Sequence, residues 1–191
     1  MNIGFCLATT NCGLTSPPGA LPYWGYSNGS ADPNVYFAGN GSAGGSASLQ
    51  LTIAGNADIN QFGWVQTNSS GGIIGSLNPL FSGLNATGQT VGFTPTAYFA
   101  FFLVGADGTY YTVSGQNPND PNAQHFAFFQ GPNATMWIGS EDLPLASSDQ
   151  DYNDLVVELQ PAVFTPEPAS LVLMGTLLGI AVLMHKAVPA H

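Results

Sequence analysis

Short runs of aromatic and β-branched residues, separated by clusters of glycine, proline, asparagine and aspartate, recur along the chain to about residue 164. Runs of this kind are typical of antiparallel β-proteins, and no stretch of this region shows a sustained helical period. Strands are expected at Val35–Ala38, Leu49–Ile53, Gln61–Gln66, Ala97–Val104, Thr109–Val113, His125–Phe129, Thr135–Ile138 and Leu155–Leu159. We therefore predict an all-β fold, an antiparallel β-sandwich or jelly roll, followed by a C-terminal hydrophobic helix that crosses a membrane.

One of these runs, YFAFFLVG at residues 98–105, is apolar at every position except its first and last. A strand that faces water on one side alternates between polar and apolar residues, whereas a strand covered on both sides does not. This run is therefore predicted to be a central strand that is buried on both faces.

The chain is poor in charge, since only 6% of its residues are charged, and its formal net charge is −10. A typical soluble domain has about a quarter of its residues charged, so this composition favours an extracellular protein. Nucleic-acid binding is excluded, because it requires clustered Lys and Arg, and the chain has none before Lys186. Cys6 and Cys12 are the two cysteines. In an oxidising compartment they would form a small local disulfide, and the alternative is two free thiols.

The longest apolar run lies near the C-terminus, and residues 171–184 carry no charge. Its length, extended back to Ala169, is close to the lower bound for a helix that spans a bilayer. The predicted membrane anchor consists of Leu171, Leu173, Leu177, Leu178, Ile180, Leu183 and Lys186. Because basic residues that flank a span stay on the cytoplasmic side, Lys186 predicts a cytoplasmic C-terminus and an exported body.

The segment that leads into this run, Pro166-Glu167-Pro168, followed by an apolar helix and a basic end, resembles the PEP-CTERM sorting signal, also called the ice-binding protein C-terminal domain. The resemblance implies that an exosortase-type transpeptidase in the membrane reads the Pro166–Pro168 motif and removes the tail. The predicted organisation is an extracellular β-sandwich domain at 1–160, a Pro-rich hinge at 161–168, a transmembrane sorting helix at 169–186 and a short cytoplasmic tail at 187–191. The first residues do not form a convincing secretory signal, so we expect the true start to lie upstream of Met1.

Acidic residues are concentrated in one segment, where six of the eleven lie between Glu141 and Glu158. Like charges this close raise one another's pKa unless a cation lies between them, and oxygen ligands of this kind suit Ca²⁺. The candidate ligands are Asp149, Asp151, Asn153 and Asp154, with Glu141 and Asp142 from across the turn. The spacing is not that of an EF-hand, because Asp154 stands where glycine is required and Gln160 where glutamate is expected. The two interpretations are a calcium loop at the entry to a strand and a solvated acidic turn without metal.

The same region, WIGSEDLPLASSDQDYNDLVVEL at residues 137–159, resembles the closing segment of a domain of unknown function that is common in secreted bacterial proteins. In that family a G-x-E-D-L stretch precedes D-x-D-Y-N-D and a terminal strand. The resemblance implies an extracellular β-sandwich that binds calcium, with no established catalysis.

The sequence therefore favours a non-enzymatic protein of the bacterial cell surface or extracellular matrix, with an extracellular polysaccharide as a further expected partner. One alternative is a carbohydrate-binding module that uses exposed aromatic side chains such as Trp24, Trp64 or Trp137. A more distant alternative is a glycoside hydrolase that uses two of the clustered carboxylates. No arrangement of Ser, Cys and His suggests nucleophilic catalysis, and His125 is the only histidine before the tail.

Overall fold

The computed structural model of the chain describes residues 34–39, 44–130, 135–160 and 165–167. These residues form strands and connections, with one 3₁₀ turn at Ser114–Gln116 and no α-helix among them. The strands are β1 (Tyr36–Ala38), β2 (Gly45–Thr52), β3 (Gln61–Thr67), β4 (Ile73–Ser82), β5 (Thr90–Phe93), β6 (Tyr98–Gly105), β7 (Gly108–Tyr111), β8 (Phe126–Gln130), β9 (Met136–Ser140), β10 (Leu155–Gln160) and β11 (Thr165–Glu167).

The strands form two sheets, and within each sheet every pair of neighbouring strands is antiparallel. The six-stranded sheet has the order β11-β1-β6-β3-β4, and β7 also pairs with β6. The five-stranded sheet has the order β5-β2-β10-β9-β8. The prediction of an all-β antiparallel fold is therefore confirmed.

The two sheets share one apolar core. The six-stranded sheet contributes Phe37, Phe62, Phe99, Phe101 and Leu103, among others, to the same cluster as Leu49, Phe126, Phe128, Ile138, Leu155 and Val157 of the five-stranded sheet. Aromatic rings dominate this cluster, and those of Phe62 and Phe101 stack with their centroids 5.4 Å apart. Two layers of sheet around a common core give a sandwich-like arrangement.

Strand β6 lies at the centre of its sheet and is buried on both faces, as its sequence predicts. Phe99, Phe101 and Leu103 point into the shared core. Ala100 and Phe102 point to the opposite face, where they pack in a second apolar cluster with Val65. The missing alternation in this run thus reflects apolar cover on each side.

All of the strands expected from the sequence occur, with ends that shift by a few residues, but three further strands were not predicted. Strand β4 lies at the edge of the six-stranded sheet and is largely exposed. It therefore lacks a buried run, and Gly75 and Pro79 interrupt it. Strands β5 and β11 are short and also lie at sheet edges, where the sequence carries little hydrophobic signal.

Several predicted features fall outside the described residues. These are Cys6, Cys12, Trp24, Pro168 and the apolar segment 169–186. Within the described ranges, no helix has the length and apolar character needed to cross a bilayer. Of the predicted hinge, Thr165–Glu167 forms β11, which pairs with β1 through Phe37 and Pro166.

Candidate metal centre

The connection between β9 and β10 contains most of the clustered acids, and we call it the acidic segment (residues 141–154). Because β9 and β10 pair antiparallel, with Leu155 opposite Ser140, the two ends of this segment lie next to each other. The Ser140 hydroxyl donates a hydrogen bond of 2.8 Å to the carbonyl of Leu155 and fastens this junction. Residues that are distant in sequence, such as Glu141 and Asp151, can therefore meet.

Glu141, Asp149 and Asp151 do meet, and we call them the acidic triad. One carboxylate oxygen from each of the three lies within 4.8 Å of those of the other two. The Glu141 side chain is 1% exposed and Asp151 is 6% exposed, whereas Asp149 is exposed to solvent. The triad could thus hold a metal ion, with one ligand at the surface and two below it.

The backbone around Asp151 turns in an uncommon way. Gln150 and Tyr152, on either side of it, have positive φ angles of 54° and 57°. Residues other than glycine adopt this left-handed region at a cost, and they persist there only where the surroundings determine the conformation. Here the Tyr152 amide donates a hydrogen bond of 2.5 Å to Glu141 Oε1, so the turn is held by a member of the triad itself.

Tyr152 also anchors the segment to the five-stranded sheet. Its ring packs in a cluster with Phe129, Trp137 and Val156 on the outer face of that sheet, and its hydroxyl donates to the Gln124 carbonyl at 3.2 Å. The sequence pattern D-x-D-Y-N-D contained this residue, but its packing role was not predicted. An aromatic residue within the otherwise polar run at residues 149–154 was the available signal.

Asn153 is placed differently from the other candidate ligands. Its backbone amide donates to Asp151 Oδ1 at 3.2 Å, and its side-chain nitrogen donates to Asp151 Oδ2. The Asn153 side chain therefore orients the Asp151 carboxylate.

Asp142 and Asp154 form a separate pair. Asp154 Oδ2 accepts a hydrogen bond of 2.9 Å from the Asp142 backbone amide. Asp142 Oδ2 accepts one of 2.7 Å from the side-chain nitrogen of Asn60, a residue that precedes β3 in the other sheet. The sequence did not indicate Asn60, because the contact joins residues 82 positions apart and no local pattern marks it.

Negative charge is not balanced by basic side chains here, since the one Lys or Arg of the whole chain is Lys186. Burial raises the pKa of Glu141 above its ordinary value, and the nearby Asp149 and Asp151 add to the rise. Burial also raises the pKa of Asp154 to about 7, with further contributions from Asp142, Glu141 and Asp151. At neutral pH the ionised segment is thus electrostatically unfavourable without a counter-ion.

The comparison with known families gives one match. Residues 47–162 match the model of a domain of unknown function, DUF4114. The match covers more than half of the chain. The chain belongs to the DUF4114 family. No curated protein and no solved structure matches it.

The DUF4114 match contains nearly all of both sheets and the whole acidic segment. Strands β1 and β11 lie outside it, at one edge of the six-stranded sheet. The candidate metal centre therefore lies within the residues that match DUF4114, whereas Pro166 and Glu167 lie outside them.

His125 of the DUF4114 domain is buried and contacts the start of the acidic segment. Its two ring nitrogens lie 3.2 Å from the Glu141 carbonyl and 3.2 Å from Asp120 Oδ2. Asp120 Oδ2 in turn accepts a hydrogen bond of 2.8 Å from the Leu145 amide. Burial lowers the pKa of His125, and its ring stacks on Tyr110 with centroids 3.7 Å apart. These contacts fasten the acidic segment to strands β7 and β8.

The two tryptophans of the DUF4114 domain, Trp64 and Trp137, differ in exposure. Trp137 is 2% exposed and packs on the outer face of the five-stranded sheet. Trp64 is partly buried against the shared core, where it meets the ring of Phe99 edge-on at 6.4 Å. Trp64 is thus the more exposed of these two tryptophans.

Proposed function

We propose that this chain is a non-enzymatic, exported β-domain protein of the bacterial cell surface or extracellular matrix, stabilised by Ca²⁺ at the acidic triad. The observation that carries the metal-binding part of the proposal is the convergence of Glu141, Asp149 and Asp151 within 4.8 Å. No Lys or Arg is available in the described residues to neutralise them.

The donor set is the type that a hard cation prefers. All three side chains offer carboxylate oxygens, and calcium takes six to eight oxygen ligands in a flexible geometry. Magnesium demands a near-ideal octahedron and keeps several waters, and zinc prefers nitrogen and sulfur ligands. Glu141, Asp149 and Asp151 would supply the side-chain ligands, and carbonyl groups of the acidic segment and water would complete the shell.

Calcium at this place would stabilise the fold and would not create a reaction centre. The acidic triad ties the start of the segment, after β9, to its end, before β10, and these strands lie in the middle of the five-stranded sheet. A cation offsets the repulsion that burial of the carboxylates creates. Neutral Glu141 is the alternative state, but it would leave the other two acids without compensation.

The arrangement is unfavourable for glycoside hydrolysis. Such enzymes use two carboxyl groups that flank a substrate in an open cleft. Glu141 is 1% exposed and accepts a hydrogen bond from the Tyr152 amide. A sugar could not approach it without displacement of the segment, so we favour a structural role for these acids.

The export part of the proposal depends on the tail. Pro166-Glu167-Pro168, the apolar run that follows and Lys186 resemble the PEP-CTERM signal. An exosortase-type enzyme and the membrane are the proposed partners. Mass spectrometry of the protein isolated from the cell surface tests this part, and we expect a mature C-terminus within or close to the Pro166–Pro168 motif. A mature C-terminus at His191 would contradict it.

The metal-binding part is tested by isothermal titration of the full chain, stripped of metal with a chelator, with CaCl₂. We expect binding by the wild type and loss of one bound ion in Asp149→Asn, which removes a charge at the exposed member of the triad. Asp107→Asn is the matched control, because Asp107 is an exposed acid in the turn between β6 and β7. An unchanged titration for Asp149→Asn would remove the triad as a calcium site.

A further inference from the structure

A second group of oxygen atoms lies beside the acidic triad and shares none of its residues. Asn60 is 0% exposed, and its side-chain nitrogen donates to Asp142 Oδ2 at 2.7 Å. The oxygen of the same amide group, Asn60 Oδ1, is buried and has no hydrogen-bond partner. Since both atoms are attached to one carbon, this oxygen lies beside the nitrogen that contacts the Asp142 carboxylate.

A buried carbonyl oxygen without a partner is unusual in a folded protein, because it loses its hydrogen bonds to water and gains nothing in return. Such an atom indicates a missing partner, which must be a donor or a cation. Asp142 is itself only 2% exposed, so the amide oxygen and the carboxylate share one poorly solvated location.

Asp154 adds a second carboxylate to this location. Its Oδ2 atom lies 2.9 Å from the Asp142 backbone nitrogen. It is only partly buried, which leaves an approach from solvent. Two carboxylates and an amide oxygen are all oxygen donors of the kind that bind a hard cation.

We propose that Asn60, Asp142 and Asp154 form a second site for a hard divalent cation such as Ca²⁺, separate from the acidic triad. The inference goes beyond the proposed function, which requires the triad alone. Oxygen-only donors are the set that calcium selects.

The position of this second site gives it a distinct role. Asn60 immediately precedes β3 of the six-stranded sheet, whereas Asp142 and Asp154 belong to the connection between β9 and β10 of the five-stranded sheet. The Asp142 main chain also approaches Gly105 at the end of β6, where an added Cβ would lie 2.3 Å from the Asp142 carbonyl oxygen. An ion here would link the two sheets at one end of the sandwich, whereas an ion at the triad would order a single segment.

The test is the number of calcium ions bound by the full chain, measured by isothermal titration with CaCl₂ after removal of metal. We expect two ions for the wild type, one for Asp149→Asn and one for Asp154→Asn. Asp154→Asn keeps an oxygen for the Asp142 amide, so a purely structural hydrogen bond would be preserved. In chelator this variant should melt no lower than the wild type, because the substitution removes the repulsion between the Asp142 and Asp154 carboxylates.

A second variant keeps the proposal testable if Asp154→Asn does not fold. Asn60→Asp replaces the amide by a third carboxylate, so it should melt lower than the wild type in chelator and gain more from calcium than the wild type does. If Asn60 only donates a hydrogen bond to Asp142, the variant will be destabilised to the same extent with and without calcium, and the second site is refuted.

The outcomes for the two sites differ. A single ion that Asp149→Asn abolishes and Asp154→Asn retains would overturn the second site and leave the triad in place. A single ion that survives Asp149→Asn and is lost in Asp154→Asn would support the second site and overturn the triad. A single ion that both variants abolish would refute two separate sites, and no bound ion would refute both proposals.

Discussion

Removal of calcium from the full chain should lower the midpoint of thermal unfolding, because the ion binds the folded acidic triad and not the unfolded chain. A ligand of this kind stabilises by RT ln(1 + [L]/Kd), so each tenfold rise in calcium above Kd contributes about 1.4 kcal/mol per site. An unfolding entropy of about 2.1 cal/mol/K per residue, over the roughly 120 described residues, amounts to about 0.25 kcal/mol/K. One bound ion should therefore raise the midpoint by about 5.5 °C for every tenfold increase in calcium.

The slope of this dependence reports the number of ions and does not depend on the exact Kd. With the second site occupied as well, the increase becomes about 11 °C for each tenfold step. Differential scanning fluorimetry from chelator up to about 10 mM calcium covers the range expected of extracellular calcium modules. In Asp149→Asn the slope should fall, and in Asp107→Asn it should not change. A midpoint that is independent of calcium in the wild type would refute the reasoning.

Three further predictions concern the core and the acidic segment. Phe101 contacts several phenylalanine rings of both sheets, so Phe101→Ala should cost about 3–5 kcal/mol of unfolding free energy in denaturant titrations. Gly105→Ala should lower both the melting midpoint and the affinity for calcium, because the new methyl group collides with the Asp142 carbonyl. In chelator, stability should fall as pH rises towards about 7, because Asp154 binds a proton more tightly in the folded state than in the unfolded state. The lowered pKa of His125 acts in the opposite direction, so the pH profile of the wild type is measured against that of Asp154→Asn.

Each of these predictions has a matched control. Leu84 is exposed, so Leu84→Ala should change the unfolding free energy little, and a similar effect for Phe101→Ala would contradict the shared core. Gly92 lies within β5, and a Cβ there would meet nothing closer than 3.9 Å, so Gly92→Ala should leave calcium binding unchanged. A profile in which Asp154→Asn and the wild type change equally with pH would show that the Asp154 carboxyl group is not responsible.

Much of the fold could be predicted from the sequence where burial leaves a mark on it. The run at residues 98–105 predicted a strand covered on both faces, because loss of alternation is a direct consequence of burial on two sides. Strand β4 could not be predicted in this way. It lies at a sheet edge with most of its side chains in solvent, so its pairing with β3 depends on backbone hydrogen bonds, which carry no residue signature.

The sequence by itself determined which residue types gather in the acidic segment, and hence that oxygen ligands for a hard cation are concentrated there. Only the tertiary structure decided which of these oxygen ligands lie together. The positive φ angles at Gln150 and Tyr152 bring Asp149 and Asp151 to Glu141, whereas the Asp142 carboxylate accepts a hydrogen bond from Asn60 of the other sheet. The sequence fixes which residues a loop contains. The direction in which each carboxylate points depends on backbone angles and on partners from remote strands. Those partners meet only when the two sheets pack together.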